Sequence, residues 1–314
     1  MTRTALLALA VLGLFSACAA PRTEIAPVTA PPAAHVPAEG STAAAAAFPR
    51  TVTDRGGQPV TIPARPERIV SLAPGMTEVL FAVGAGPRVV ATDLYSDYPD
   101  AARRTEKLDY TRPSAEQVVA LRPDLVLMSS RQRDQVQRFR DLELPVLFLG
   151  EPESLAQAFE NMRTIGIATG EDEATAALVR GLQARVDAVA ARAAGIASPP
   201  RVFYELTPAL HTAGPASFIG SMFTILRAQN IAPATPAYPQ LTAERVIAAD
   251  PEVIVLGYVG TTKVDARTVA QRPGWSAVSA VRTGRVILLD PDLANRPGPR
   301  VVDALEVLAR ALFP

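Results

Sequence analysis

At 314 residues the chain is too long for one small core and suits two lobes of ordinary domain size. Its 31 basic side chains balance 31 acidic ones, which argues against a nucleic-acid binder, since that needs a basic excess to displace counterions. Cys18 is the sole cysteine and His35 and His211 the only histidines, so an internal disulfide, a cysteine-based zinc site, an iron–sulfur cluster and a three-histidine metal site are excluded.

Residues 1–18 combine an early Arg3, an apolar run from Ala5 to Phe15 and small residues before Cys18. The run is too short for a ~30 Å hydrocarbon core, so it reads as an export signal and not as a membrane helix. Leu14-Phe15-Ser16-Ala17-Cys18 resembles the lipobox of bacterial lipoproteins, with Phe15 where Leu is usual. That resemblance implies lipidation of Cys18. Residues 19–48 read as a flexible tether, because 17 of the 29 positions from 19 to 47 are Ala or Pro and large apolar side chains are too few to offset ordering entropy. His35 falls inside this tether.

An N-terminal α/β lobe is expected over 49–170. Its strands are Arg68–Ser71, Arg88–Thr92, Leu125–Met128 and Pro145–Leu149, and its helices Thr77–Val83, Ala115–Leu121, Arg131–Leu142 and Leu155–Thr169. Nearly continuous apolar strands between helices indicate a parallel sheet covered on both faces. The period then changes. A linker helix over 171–195 has a proline-free helical run from Glu171 to Ala194, with Ala177, Leu178, Leu182, Val186, Val189, Ala190 and the Arg185 stem on one face. At 1.5 Å per residue the run spans roughly 36 Å, enough to cross a lobe. A C-terminal α/β lobe over 196–314 follows, with strands near Arg201–Leu206, Val253–Gly257 and Val286–Leu289 and helices near Ser217–Ala228, Ala243–Ala249 and Val301–Leu312.

The two halves share a repeat. Residues Ser114 to Met128 align without gaps on Thr242 to Leu256, each copy being a cap residue, a short amphipathic helix, a proline turn and a buried strand. The fold class is therefore α/β, with two Rossmann-like lobes, parallel sheets, one long rigid helix between them and a cleft as the natural ligand site.

Five motifs carry a family resemblance: Arg68 to Glu78, Tyr95-Ser-Asp-Tyr-Pro99, Ala120 to Val126, Tyr238 to Glu244 and Arg296-Pro-Gly-Pro-Arg300. In this order the chain resembles, from about Arg50 to Leu312, the substrate-binding proteins of metal-chelate ABC importers, of the vitamin B12 and iron–siderophore type. The resemblance implies an extracytoplasmic, lipid-anchored monomer. Its partners are an ABC permease dimer with separate ATPase subunits, and its cargo is a cobalamin or related corrinoid. An iron complex, ferric siderophore or haem, is the alternative, and a stand-alone sensor or scavenger a distant one.

On the same footing Tyr95, Tyr110 and Tyr238 match cleft-lining aromatic positions, where a flat apolar ring with a polar tip suits stacking on a macrocycle. His211 follows a strand and is either a hydrogen-bonded loop residue or a ligand contact, and Arg296 matches a cleft arginine whose fork suits an oxygen-bearing ligand. Asp292 fits an acceptor position there. Glu116 and Glu244 occupy equivalent repeat positions. Read locally each complements a helix dipole, and the resemblance implies that each docks on an arginine pocket of the permease, with Glu78 as the rival acid of the first lobe. No Walker loop is present and no nucleophile-elbow sequence accompanies His211, so neither an ATPase nor an extracytoplasmic hydrolase is expected, and no intrinsic metal or cofactor.

Overall fold

A computed structural model describes residues 47–258 and 264–313. The expected export signal, Cys18, His35 and the tether up to residue 46 lie outside the described residues. The tether was expected to reach residue 48, but Phe48 packs half-buried on the core with the Arg50 guanidinium 5.2 Å from its ring. The first element is a hairpin that the sequence pattern did not announce. Strands β1 (Arg50–Thr53) and β2 (Pro59–Ile62) pair antiparallel and turn Val52, Val60 and Ile62 into the core. Buried Asp54 closes the hairpin by accepting from the Gly56 and Gln58 amides at 2.7 and 2.9 Å, and it pairs with Arg140.

The first lobe then runs β3 (Ile69–Ser71), α1 (Pro74–Ala82), β4 (Val89–Asp93), β5 (Glu106–Leu108), α2 (Ala115–Ala120), β6 (Leu125–Met128), α3 (Val136–Asp141), β7 (Val146–Phe148) and α4 (Leu155–Thr169). The strands form one parallel sheet in the order β5-β4-β3-β6-β7. Helix α1 starts three residues before the expected Thr77, because Pro74 fits the first helical turn where its missing N–H is not needed. The helix expected over Arg131–Leu142 is split. Ser129 and Gln132 form a capping box on a 3-10 turn, Gln132 leaves helical geometry, and α3 begins only at Val136.

Helix α4 ends on Gly170, whose φ of 76° lets the chain reverse into α5 (Asp172–Ala194). The buried seam of α5 is Thr175, Val179, Leu182, Val186 and Ala193; Ala177, expected on that face, is exposed. The seam packs between α4 of the first lobe and α11 of the second. Ion pairs hold it along its length. Glu171 receives Arg65 and Arg88 at 2.6 and 2.5 Å, and Arg185 donates to Glu306 and Asp303 at 2.8 and 2.5 Å.

The second lobe comprises β8 (Arg201–Glu205), α6 (Phe218–Ile225), β9 (Gln229–Asn230), α7 (Ala243–Ala249), β10 (Val253–Leu256), α8 (Ala266–Ala270), α9 (Ser279–Arg282), β11 (Val286–Leu288), α10 (Pro291–Ala294) and α11 (Val301–Leu312). Its parallel sheet has the order β9-β8-β10-β11. That is the order β4-β3-β6-β7 repeated without the edge strand β5. The aligned repeats agree in detail: Ser114 and Thr242 cap α2 and α7 through their hydroxyls, and Arg122 and Asp250 both take positive φ, 47° and 44°, before a proline and a buried strand. The largest apolar cluster runs from Val52 to Phe313 through α1, α4, α5, α6 and α11, so both lobes share one core along α5. Two smaller clusters fill the outer faces.

Candidate ligand cleft

In an open parallel sheet, ligands bind beyond the carboxyl ends of the strands. In the first lobe Tyr95 follows β4, Tyr110 follows β5, Arg131 follows β6 and Glu151 follows β7. In the second, His211 follows β8, Tyr238 follows β9, and Asp292 and Arg296 follow β11. Tyr95 and Tyr238 are 58% and 52% exposed, so each leaves ring surface open to solvent. Tyr95 meets Tyr110 edge to face, with centroids 5.2 Å apart and planes at 88°.

A polar scaffold beneath the rings fixes them. Buried Asp93 accepts from the Tyr95 amide at 2.8 Å and from the Ser96 hydroxyl. The Thr77 hydroxyl, 2.9 Å from that of Ser96, donates to Ser71 at 2.8 Å. Lys107 closes the same loop through Thr92 and the carbonyls of Ser96 and Ala102 at 2.8, 2.6 and 2.9 Å. Buried Gln132 donates from its amide nitrogen to the carbonyls of Leu72, at 3.1 Å, and Tyr110. Each buried donor or acceptor satisfied here would otherwise cost about 1–3 kcal/mol.

Arg131 and Glu151, which no sequence motif singled out, stand beside these rings. The Glu151 amide donates to Ser130 at 2.9 Å, which ties the two loops together. The Glu151 carboxyl is reachable by solvent yet walled by protein. That burial pushes it above its ordinary value, and only Arg131 pulls against it. Burial likewise raises the Tyr110 and Tyr238 hydroxyls, with the charge of Glu151 adding to the rise and Arg131 opposing it. The charge of Glu151 in the first lobe thus reaches Tyr238 of the second.

The remaining expected contacts are placed differently. Arg296 is only 11% exposed, and both arms of its fork are taken, by Asp97 of the first lobe at 2.5 Å and by Asp292 at 2.8 Å. It ties the lobes together and is not a free ligand donor, and Asp292 is its partner instead of a free acceptor. Next to it Arg300 donates to Glu78 at 3.1 and 2.6 Å and lies 4.0 Å from the Tyr98 ring. Glu78, 3% exposed, is thus an inter-lobe anchor and not an exposed docking acid. The backbones touch here: a Cβ on Gly75 would come within 2.9 Å of the Pro297 carbonyl carbon. His211 is half-buried with its Nδ1 3.0 Å from the Thr207 hydroxyl, a local loop contact. Among the described residues no group of three His, Cys, Asp or Glu is placed to hold a metal ion.

Residues 69–293 match the sequence pattern of the family described as periplasmic binding protein. The chain belongs to that family.

An uncharacterized ABC transporter substrate-binding lipoprotein of Bacillus subtilis is 32% identical over 275 residues, 85% of this chain and 86% of that protein. A cobalamin-binding protein of Halobacterium salinarum is 33% identical over 315 residues, 96% of this chain and 83% of its own. Among solved structures, the periplasmic heme-binding protein RhuT of Roseiflexus superposes with a TM-score of 0.69 at 28% identity, over 79% of this chain and 98% of its own.

In this periplasmic binding protein the two repeat glutamates both reach solvent. Glu116, in the first turn of α2, receives Ser114 at 2.8 Å and Arg138 at 2.9 Å. Backbone and hydroxyl hydrogen bonds hold both the Glu116 and Glu244 carboxyls below their ordinary values, so both are anionic at neutral pH. Beside Glu116 an open groove of about 480 Å³ is lined by Val119, Ala120, Asp141 and Leu142.

Proposed function

We propose that the chain is the extracytoplasmic substrate-binding protein of an ABC importer, with a binding role and no catalytic one. It captures a cobalamin or related corrinoid between its lobes and delivers it to a permease dimer served by separate ATPase subunits. The observation that carries this reading is the pair of half-exposed tyrosines, Tyr95 and Tyr238, presented by opposite lobes at the carboxyl ends of their sheets. Such rings suit the faces of a macrocycle. The likeness to a cobalamin-binding protein supports the corrinoid, and the likeness to a heme-binding one supports haem or another iron complex as the second reading.

The B. subtilis relative's name as a lipoprotein supports anchoring through Cys18 at the outer face of the membrane. Glu116 and Glu244 are the docking carboxylates, supported by their exposure and their equivalent places at the starts of α2 and α7. The protein works as a monomer, and the shared core along α5 limits lobe closure to a small hinge, so affinity rests mainly on a preformed cleft.

Calorimetry on the form beginning after Cys18 tests the cargo, with cyanocobalamin, haemin and ferric siderophores as probes. One cyanocobalamin per chain at micromolar affinity or better is expected, and an absence of heat at micromolar protein contradicts the corrinoid reading. For docking, Glu116→Ala combined with Glu244→Ala abolishes uptake and leaves ligand binding intact. Loss of ligand binding in that variant would show the glutamates to be misassigned.

A further inference from the structure

Four consecutive side chains of the segment after β4 go to four different places. Tyr95 stands open at the cleft. Ser96 turns inward, buried, and donates to Asp93 of the first-lobe scaffold. Asp97 crosses to the second lobe, where Arg296 donates to it at 2.5 Å, while Arg103 of its own lobe lies 3.7 Å away. Tyr98 lies under the Arg300 guanidinium of the second lobe, 4.0 Å from the centre of its ring. The two arginines are themselves fixed, Arg296 by Asp292 at 2.8 Å and Arg300 by Glu78 at 3.1 and 2.6 Å.

Resting on the reading of the cleft as the ligand site, we propose that Arg296 is a positioning residue for Tyr95: through Asp97, the second lobe sets where the first lobe's ring stands. Two residues of extended chain span at most about 7 Å, so Asp97 and Tyr95 are the two short arms of a lever on Ser96. Tyr95 has its own ties upstream and sideways, its amide on Asp93 at 2.8 Å and its ring on Tyr110 at 5.2 Å. These hold the start of the segment and leave its downstream end to the other lobe. The inter-lobe ion pair and ligand binding are then reciprocal: a ligand pressing on Tyr95 loads the Asp97–Arg296 pair, and losing that pair loosens the ring. Arg296 thus contributes to affinity without touching the ligand, since both arms of its fork are occupied.

Asp97→Asn tests this. It removes the carboxylate that Arg296 holds, at a side chain 36% exposed, and a melting temperature near that of wild type is the control for folding. In ring-labelled protein without ligand, nuclear Overhauser contacts between Tyr95 and Tyr110 should be present in wild type and weakened in Asp97→Asn. Asp97→Glu, which keeps the carboxylate, should restore them. In cyanocobalamin titrations Asp97→Asn and Arg296→Gln should each lose roughly fivefold in affinity, and Asp97→Glu should recover most of it. In a Tyr95→Ala background Asp97→Asn should cost less than about twofold, because the ring it positions is gone. Unchanged ring contacts or undiminished affinity in Asp97→Asn overturn the proposal. So does a loss that persists in full without the Tyr95 ring, since the pair would then act on the ligand or on the lobes at large. If the wild type binds no cyanocobalamin, the corrinoid reading falls, and the ring contacts alone decide the positioning.

Discussion

The two lobes share one strand order and one aligned repeat, yet they treat their buried acids differently. In the second lobe Glu205, fully buried, receives Arg272 at 2.8 and 2.7 Å and the Tyr258 hydroxyl, with Arg272 lying 4.6 Å from the Trp275 ring. Every member of that network belongs to one lobe. The first lobe spends its buried Glu78 outward, on Arg300 of the other lobe, and places Asp97 on Arg296 beside it. Both lobes hold buried acids on internal partners, Asp54 and Asp93 in the first and Glu205 in the second, but the first lobe alone also sends a buried acid, Glu78, to an arginine of its neighbour.

Removing those acids is the strongest way to break the comparison. Glu205→Ala and Glu78→Ala each leave a guanidinium unpaired in a largely buried place and should cost about 3–5 kcal/mol in denaturant unfolding. They should differ in hydrogen exchange. Glu205→Ala loosens only the second lobe, whereas Glu78→Ala raises exchange on both sides of the clamp, in α1 and in the loop at 296–300. Identical exchange patterns would remove the distinction.

A smaller effect tests where the lobes are alike. Ser114→Ala and Thr242→Ala delete hydroxyl caps that accept from the Gln117 and Arg245 amides at 3.3 and 3.2 Å, and each should cost about 1 kcal/mol by the same denaturant assay. A difference beyond a factor of two would show that the repeat is equivalent in sequence but not in energy.

The smallest effect is in pH. Burial tends to raise the Asp97 carboxyl, but its hydrogen bond and charge pairing with Arg296 win and hold it below its ordinary value. Hydrogen bonding from Arg185 likewise depresses Glu306. A depressed acid stabilises the fold above its ordinary pKa and loses that contribution as pH falls through the depressed one. Stability should therefore decline from about pH 4 downward, and Arg296→Gln should flatten part of that decline. An unchanged acid limb in Arg296→Gln would show that the clamp is not what titrates.

Much of the scaffold was legible in the sequence because local signals agreed with the fold. Continuous apolar runs at Leu125–Met128 and Val253–Leu256, short and set between helices, marked buried parallel strands, and α4, α7 and α11 occupy the residues their periodicity marks. The β1–β2 hairpin escaped because half its short pattern faces solvent, which leaves only Val52, Val60 and Ile62 as a signal.

Tyr95 and Tyr238 of the candidate cleft stand in motifs that the sequence displays, whereas the pairing of its charges was not legible there. Arg296 meets an acid 199 positions away, and no local pattern announces such a pairing. Arg131 and Glu151 lie in no motif, yet a signal was available: each follows an apolar strand of a parallel sheet, where cleft residues are expected.

The central claim is that opposed tyrosines at the carboxyl ends of the two sheets clasp the cargo. It is tested most directly by titrating cyanocobalamin into wild type and into Tyr95→Ala combined with Tyr238→Ala. The rings are half-exposed, so the double variant should fold as wild type does, and it should bind about 10- to 100-fold more weakly. Wild-type affinity in that variant would contradict the account.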